Sequence, residues 1–277
     1  MIEKVNMYHP DKVADRIAGA IVDYAYTLHA NPRVAVEVLV GHGRATVIAE
    51  TSVILEDGIV EGIVKRIANI PADDIDFIQV PQDSCLSENQ RGGFRCGDNG
   101  VFRARWHAGY EKATRLAIRL GECFPYDGKY LFDFSHGAAT ICQSNAAAAD
   151  IQKDTALSKF MTLIINPLGA WIGGTDVDTG CTNRKLGSDQ PLCNPNGLHG
   201  KDLSKADVSV SVYINALSRK RGGAAVRAHC SIGDESVSVI TDGNDAVETK
   251  FADIVEFARD YIRSLGGFEK FAEYGMR

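Results

Sequence analysis

The stretch RVAVEVLVGHGRATVIAETSVI, Arg33 to Ile54, alternates apolar and polar residues on both sides of a Gly-His-Gly break. Alternation of period two marks a half-buried strand, and a short glycine-containing break between two such runs marks a hairpin. Two glutamates, Glu37 and Glu50, interrupt the apolar runs. A carboxylate on a strand is costly to bury alone, so either that face is solvated or each charge meets a cation.

Upstream, Pro10 fits a first helical turn, where its missing N–H costs nothing, and Val13, Ile17, Ala20, Ile21, Tyr24 and Leu28 recur at helical spacing. Downstream, GIVEGIVKRIA (58–68) reads as a second helix. The same order recurs twice. A helix at 107–120 precedes a hairpin in YLFDFSHGAATICQ (130–143) and a helix over DIQKDTALSKFMTLII (150–165). A helix at 204–220 precedes a hairpin at 225–241 and a helix at 250–265. First helices begin near 10, 107 and 203, which implies an α+β chain of three helix–hairpin–helix units with a period of about 95 residues. The weakest of these helices is the one containing ADVSVSVYI, whose β-branched residues alternate as they would in a strand. A lone hairpin is marginal in water, so the three must pack around a shared interior or gain further strands. The units divide as 1–100, 101–170 and 171–277, interleaved in space.

Of 277 residues, 45% are hydrophobic and 24% charged, a globular composition, and the net charge is −6. That balance argues against a nucleic-acid or anionic-membrane surface, which needs clustered Lys and Arg. No apolar run reaches the roughly 18 residues of a membrane span, and the N-terminal residues MIEKVNMYHPDK contain no hydrophobic signal core, so a cytoplasmic location is expected. Seven scattered cysteines without a C-x-x-C pair fit reduced, buried thiols.

Chemistry-bearing residues gather at the ends of regular elements. In HPDK (9–12) an acid in the first helical turn can simply complement the helix dipole; alternatively the positive helix end, His9 and Lys12 meet a polyphosphate while Asp11 binds magnesium. The second alternative demands another carboxylate elsewhere. The irregular segment 166–207 carries Arg184, Lys185, Lys201 and Lys205 among Gly, Asp and Asn. An irregular stretch of that length inside a globular chain is more often functional than idle. Neither a Walker spacing nor a strand–GxGxxG–helix unit is present, which excludes ordinary P-loop and Rossmann sites. CGDNG (96–100) is a tight turn in which Asp98 serves as turn former or ligand.

Taken in order, HPDKVADRIAGAIVD, RVAVEVLV…VIAETS, GDNG, DGK, INPLG…IGG, DTGCTNRK and GKDLSKADVSV resemble the S-adenosylmethionine synthetase family across nearly the whole chain. The resemblance implies three similar domains around a pseudo-threefold axis. It also implies ATP and L-methionine as substrates, attack of the methionine sulfur on the ribose C5′, and cleavage of the expelled tripolyphosphate. By motif, His9 is similar to the catalytic histidine, and Lys129, Arg184 and Lys201 to cations acting on the triphosphate. Asp127, Trp171, Asp178 and Lys185 complete the implied ATP contacts, with Trp171 near the adenine-stacking aromatic after a one-residue gap. Glu50, Gln90, Asp98, Asp178 and Lys205 match methionine contacts. Asp11 and Asp207 match carboxylates for two Mg2+ ions, and Glu37 matches a K+ ligand. A homodimer or a tetramer with active sites between subunits is implied; nucleic-acid and membrane partners are not.

The departures are local. Gln90 to Asp98 is much shorter than the family's mobile lid, NPNGLHGKD replaces a glycine-rich run, the central unit is abbreviated, and Tyr8 replaces a glycine before the histidine. The shortened lid motivates one alternative, a non-catalytic homologue that binds nucleotide or regulates a full-length synthetase. Another is an adenosyltransferase that takes a different thioether or splits tripolyphosphate poorly.

Overall fold

A computed structural model describes residues 1–191 and 201–277. The sequence-predicted region around NPNGLHG and Cys193 lies outside the described residues. From the start, the chain forms β1 (Ile2–Val5), α1 (Pro10–Leu28), β2 (Val34–Gly41), β3 (Arg44–Thr51), α2 (Asp57–Ala68), β4 (Ile75–Pro81) and α3 (Ser84–Asn89). It continues as β5 (Gly100–Ala104), α4 (Ala108–Cys123), β6 (Gly128–Asp133), β7 (Ala138–Gln143), α5 (Ala148–Gln152) and β8 (Thr162–Ile165). The last part contains β9 (Thr179–Cys181), α6 (Leu186–Asp189), α7 (Ala206–Lys220), β10 (Val226–Cys230), β11 (Ser236–Thr241), β12 (Val247–Lys250), α8 (Phe251–Ser264) and α9 (Phe268–Tyr274).

Among the described residues the strands make three four-stranded sheets of one plan: β9-β2-β3-β4, β1-β6-β7-β8 and β5-β10-β11-β12. Each expected hairpin is the centre of its sheet. On one side lies a strand antiparallel to the hairpin, and that strand comes from another unit: β1 pairs β6, β5 pairs β10 and β9 pairs β2. The exchange runs in one direction and closes on itself, so the units follow a pseudo-threefold arrangement. The fourth strand is parallel to the hairpin in two sheets, where a segment containing a helix carries the chain back. In the third, only residues 242–246 separate β11 from β12, and so short a link forces an antiparallel return.

One reading fails. Residues 150–165 are not a helix: α5 stops at Gln152 and Thr162–Ile165 pairs with β7. Asp154 ends the helix by accepting the amide of Ala156 at 2.7 Å and holding Arg119 at 2.9 Å, and TLII then satisfies its backbone in the sheet. In contrast, the ambiguous ADVSVSVYI segment is helical. Ala206 to Val212 are all buried, so the helix is enclosed on every side and shows no clean 3.6-residue stripe. The strands β1, β4, β5, β9 and β12 and the helix α9 were not expected from the pattern.

The larger core joins α1, the β2–β3 hairpin, α7, β10, β11 and α8; a second lies between α4 and the β6–β7 hairpin, around Leu120, Tyr130 and Phe132. The six cysteines among the described residues are free thiols, but Cys85 and Cys123 are exposed rather than buried.

Candidate active site

The N-terminus of α1 and the short strand β9 meet more closely than side chains allow. A Cβ on Gly180 would fall 2.0 Å from the backbone of Pro10, so only glycine admits this approach. It places the THR–ASN–ARG–LYS turn (182–185) directly against the HPDK helix start. His9 is the N-cap of α1, its Nδ1 accepting the amide of Asp11 at 3.2 Å. Asp11 is buried; its Oδ1 accepts the amide of Cys181 at 2.9 Å, and its Oδ2 takes a hydrogen bond from the Lys185 ammonium. Arg184 stands 3.8 Å from Asp11 with its side chain largely in solvent.

Burial, and then the Lys185 charge, depress the His9 pKa from 6.5 to about 4. The imidazole is therefore neutral near pH 7, with Nδ1 as acceptor and Nε2 carrying the proton. The charges acting on His9 include Lys129 and Asp178, and those acting on Asp127 include Asp178, Lys185 and Asp11. Thus five of the expected residues, Asp11, Asp127, Lys129, Asp178 and Lys185, form one electrostatic neighbourhood with His9. Lys129 also lies 3.4 Å from Glu3, half exposed on β6. Asp127 is buried and its carboxyl is raised to about 6, chiefly by loss of solvent. Its Oδ1 and the Ser144 hydroxyl have no hydrogen-bond partner. Both pack beside Gly173, where an added Cβ would also touch the Trp171 ring at 2.6 Å. Trp171 donates to Asn166 Oδ1 at 3.3 Å, beside a cavity of about 330 Å³. Asp178 itself is exposed, its Oδ1 accepting the Thr179 amide at 2.7 Å.

A buried charge chain supports this floor. Lys12 bridges Asp189 at 2.6 Å and Asp15 at 3.4 Å; Asp15 accepts from Lys201 at 3.2 Å and from the Asn183 amide at 3.0 Å. Burial alone would lower the Lys12 pKa, but the two carboxylates outweigh it and raise the value. Burial would raise Asp15, yet Lys201 and Lys12 pull it down, which favours its charged form, whereas at Asp189 burial outweighs Lys12 and raises the carboxyl. Lys201 therefore points inward, in a left-handed backbone conformation with φ of 65°. Asp15, Asn183 and Asp189 were not singled out from the sequence. The three-residue spacing of Lys12 and Asp15 was the available signal, and Asp189 had none.

A second group lies at the start of α7. The amide of Gly97 donates to Ser204 O at 3.2 Å, and Gly97 approaches Lys205 so closely that the GDNG turn with Asp98 sits beside the Lys205 N-cap. Asp207 is buried in the first turn of α7. Glu37 accepts hydrogen bonds from the Thr182 hydroxyl and from Asn183 Nδ2, at 3.3 Å for the latter, tying β2 to the 182–185 turn. Glu50 and Gln90 stand apart from the His9 neighbourhood. Glu50 is on the exposed face of β3, and Gln90 closes its own loop, bonding Arg95 O at 2.7 Å and the Arg95 amide at 3.1 Å.

Among the described residues no three His, Cys, Asp or Glu side chains form a cage. Two carboxylates, Asp11 and Asp207, suit Mg2+ in kind, because that ion is commonly held by one or two carboxylates together with substrate phosphates. Glu37 accepts from the Thr182 hydroxyl and from Asn183 Nδ2, so its carboxylate and the Thr182 hydroxyl are the oxygens there of the type a K+ ion takes.

Three strand-exchanging units with a densely charged helix start at one junction define an α+β protein of pseudo-threefold design. Residues 1–84 match the model of the S-adenosylmethionine synthetase N-terminal domain. The chain is 26% identical to the S-adenosylmethionine synthase of Aquifex aeolicus over an alignment 290 positions long, covering 84% of this chain and 77% of that protein. It is 25% identical to S-adenosylmethionine synthase 1 of Rhodopseudomonas palustris, covering 89% and 82%. Its fold is that of a structure described as an unusual S-adenosylmethionine synthetase from Campylobacter jejuni, with a TM-score of 0.72 over 99% of this chain and 93% of that one, at 18% identity. The first 84 residues thus carry the S-adenosylmethionine synthetase N-terminal domain, and over most of its length the chain is similar to S-adenosylmethionine synthases, as a compact and divergent relative.

Proposed function

We propose that the protein is a methionine adenosyltransferase, forming S-adenosylmethionine from ATP and L-methionine and cleaving the released tripolyphosphate to pyrophosphate and phosphate. The observation that carries this reading is the close seating of β9 on the start of α1, which puts neutral His9, Asp11, Arg184 and Lys185 around one helix N-terminus. Displacement by a thioether sulfur needs no base. What it needs is alignment, and positive charge where the triphosphate leaves. Arg184, Lys185 and Lys129 supply that charge, with Lys201 held behind them by Asp15. His9, with Nδ1 committed to the Asp11 amide, offers its Nε2 proton to the oxygen at C5′. Trp171 and Asp127 face the nucleoside, and Asp98 with Lys205 faces the amino acid. Asp11 and Asp207 are assigned to Mg2+ and Glu37 to K+; bound Mg2+ would neutralise phosphate oxygens.

The open face of the β2–β3–β4 sheet exposes Leu39, Ile48, Ile78 and Val80 around Glu50. An apolar sheet face of this kind suits a homodimer interface, across which Glu50 and Gln90 are assigned to methionine. Purified protein supplied with ATP, methionine, Mg2+ and K+ is expected to release S-adenosylmethionine and phosphate; absence of both products overturns the reading. The self-closed Gln90–Arg95 loop favours one competitor, a nucleotide-binding homologue without turnover. It would bind ATP in the same assay and form no product.

A further inference from the structure

The molecule has a second concave site that shares no lining residue with the His9 neighbourhood. It is a pocket of about 460 Å³ between one face of α4, the turn joining β6 to β7, and residues 156–160. Its floor is aromatic. Phe134 stacks on Phe132 with centroids 5.9 Å apart and planes 13° apart, and Phe160 stacks on Phe132 at 5.9 Å and 24°. Phe134 and Phe160 lie 5.9 Å from each other, so both rings are braced from beneath by the core and present their remaining surface to the pocket. The rim is cationic: Lys112, Arg115 and Arg119 project from α4 at spacings of three and four residues, and Lys159 faces them from the other wall.

The charges do not cancel. Arg119 holds Asp154 through Nε alone, at 2.9 Å to each oxygen, and Arg115 reaches Glu111 at 3.6 Å. Among the described residues, Lys112 and Lys159 have no carboxylate within ion-pair distance. In a chain of net charge −6, four cations converging over half-buried aromatic rings is a local inversion of the overall balance. Like charges gathered round one pocket repel one another, and that cost falls when an anion with a flat apolar part enters. The volume is within the range of small-molecule sites.

We propose that this pocket binds a small aromatic molecule bearing a phosphate, of nucleoside monophosphate size, its ring on Phe134 and Phe160 and its phosphate between Lys112, Arg119 and Lys159. The assignment is independent of the reaction proposed above, because none of these residues belongs to that site.

The test is calorimetric titration with adenosine 5′-monophosphate as probe, adenosine and inorganic phosphate as its separate halves, and three proteins. Wild type is expected to bind the monophosphate at least tenfold more tightly than either half. Lys112→Glu combined with Lys159→Glu weakens it at least tenfold, whereas Lys185→Ala, at the other site, leaves it unchanged. Both lysines are exposed, and Lys112→Gln with Lys159→Gln provides a milder pair if the charge reversal impairs folding; loss of binding in that pair supports the site equally. No binding by wild type at millimolar probe, unchanged binding in the lysine pairs, or loss of binding in Lys185→Ala overturns the proposal.

Discussion

At the scale of single residues, burial and charge divide the titratable groups of the cleft into distinct roles. His9 has a folded pKa of about 4, below its ordinary 6.5. The unfolded chain therefore binds this proton first, and the neutral histidine costs stability only as pH falls from about 6.5 towards 4. The activity profile should then show no His9 titration between pH 5 and 8. His9→Ala should reduce S-adenosylmethionine formation by about a hundredfold or more, with the melting temperature near that of wild type. A turnover equal to wild type would remove His9 from the mechanism. Asp127 behaves oppositely, with a folded pKa of about 6. Its raised value stabilises the fold below about pH 4, and that contribution is lost as pH rises through 6. Asp127→Asn should accordingly stabilise the protein at pH 7 by something on the order of 1–3 kcal/mol, with little gain at pH 4. The same substitution should erase an acidic limb near pH 6 in kcat/KM for ATP; a limb that persists unchanged would assign it to another group. Asp15 sits between Lys12 and Lys201, and removing one member of a buried ion set leaves the others uncompensated. Asp15→Asn should cost about 3 kcal/mol in denaturant unfolding.

At the scale of elements, the site depends on one contact between a strand of three residues and a helix start. Gly180→Ala would drive a methyl into the Pro10 carbonyl, so β9 must retreat from α1. The expected result is a loss of about 3 kcal/mol together with a large rise in KM for ATP, measured by unfolding and steady-state kinetics. A variant with wild-type KM would show that the approach is dispensable. The elements also show where pattern reading succeeds. The α1 helix and the three hairpins were legible because each buries one face and leaves the other wet, which imprints a period on the residues. The 150–165 segment was misread because a short helix, an Asp154 turn and an edge strand together imitate helical spacing. The short strands β1, β5 and β9 carry too few residues to show any period, although they complete the sheets.

At the scale of the whole molecule, the cyclic exchange of β1, β5 and β9 binds the three units into one body, since each sheet is finished by a strand from elsewhere in the chain. The exposed apolar face of the β2–β3–β4 sheet gives the corresponding prediction for assembly. Light scattering should report about twice the 30.0 kDa chain mass, and Ile48→Lys with Ile78→Lys should yield a monomer that no longer forms S-adenosylmethionine. A wild-type protein that remains monomeric at micromolar concentration would require the methionine contacts of Glu50 and Gln90 to be reassigned.

By itself the sequence determined the three helix-led hairpins and the likeness to S-adenosylmethionine synthetases, and it named candidate residues for the site, because periodicity and ordered motifs are local properties that survive in one dimension. Only the tertiary structure decided which of them meet. Gly180 brings the 182–185 turn onto His9 and Asp11, Asp15 turns Lys201 inward, and Glu50 and Gln90 are left apart. The reason is physical: a buried charge goes where its partner is, and Lys12 with Asp189 or Asp11 with Lys185 are partners separated by more than 170 residues, at a distance no sequence window contains.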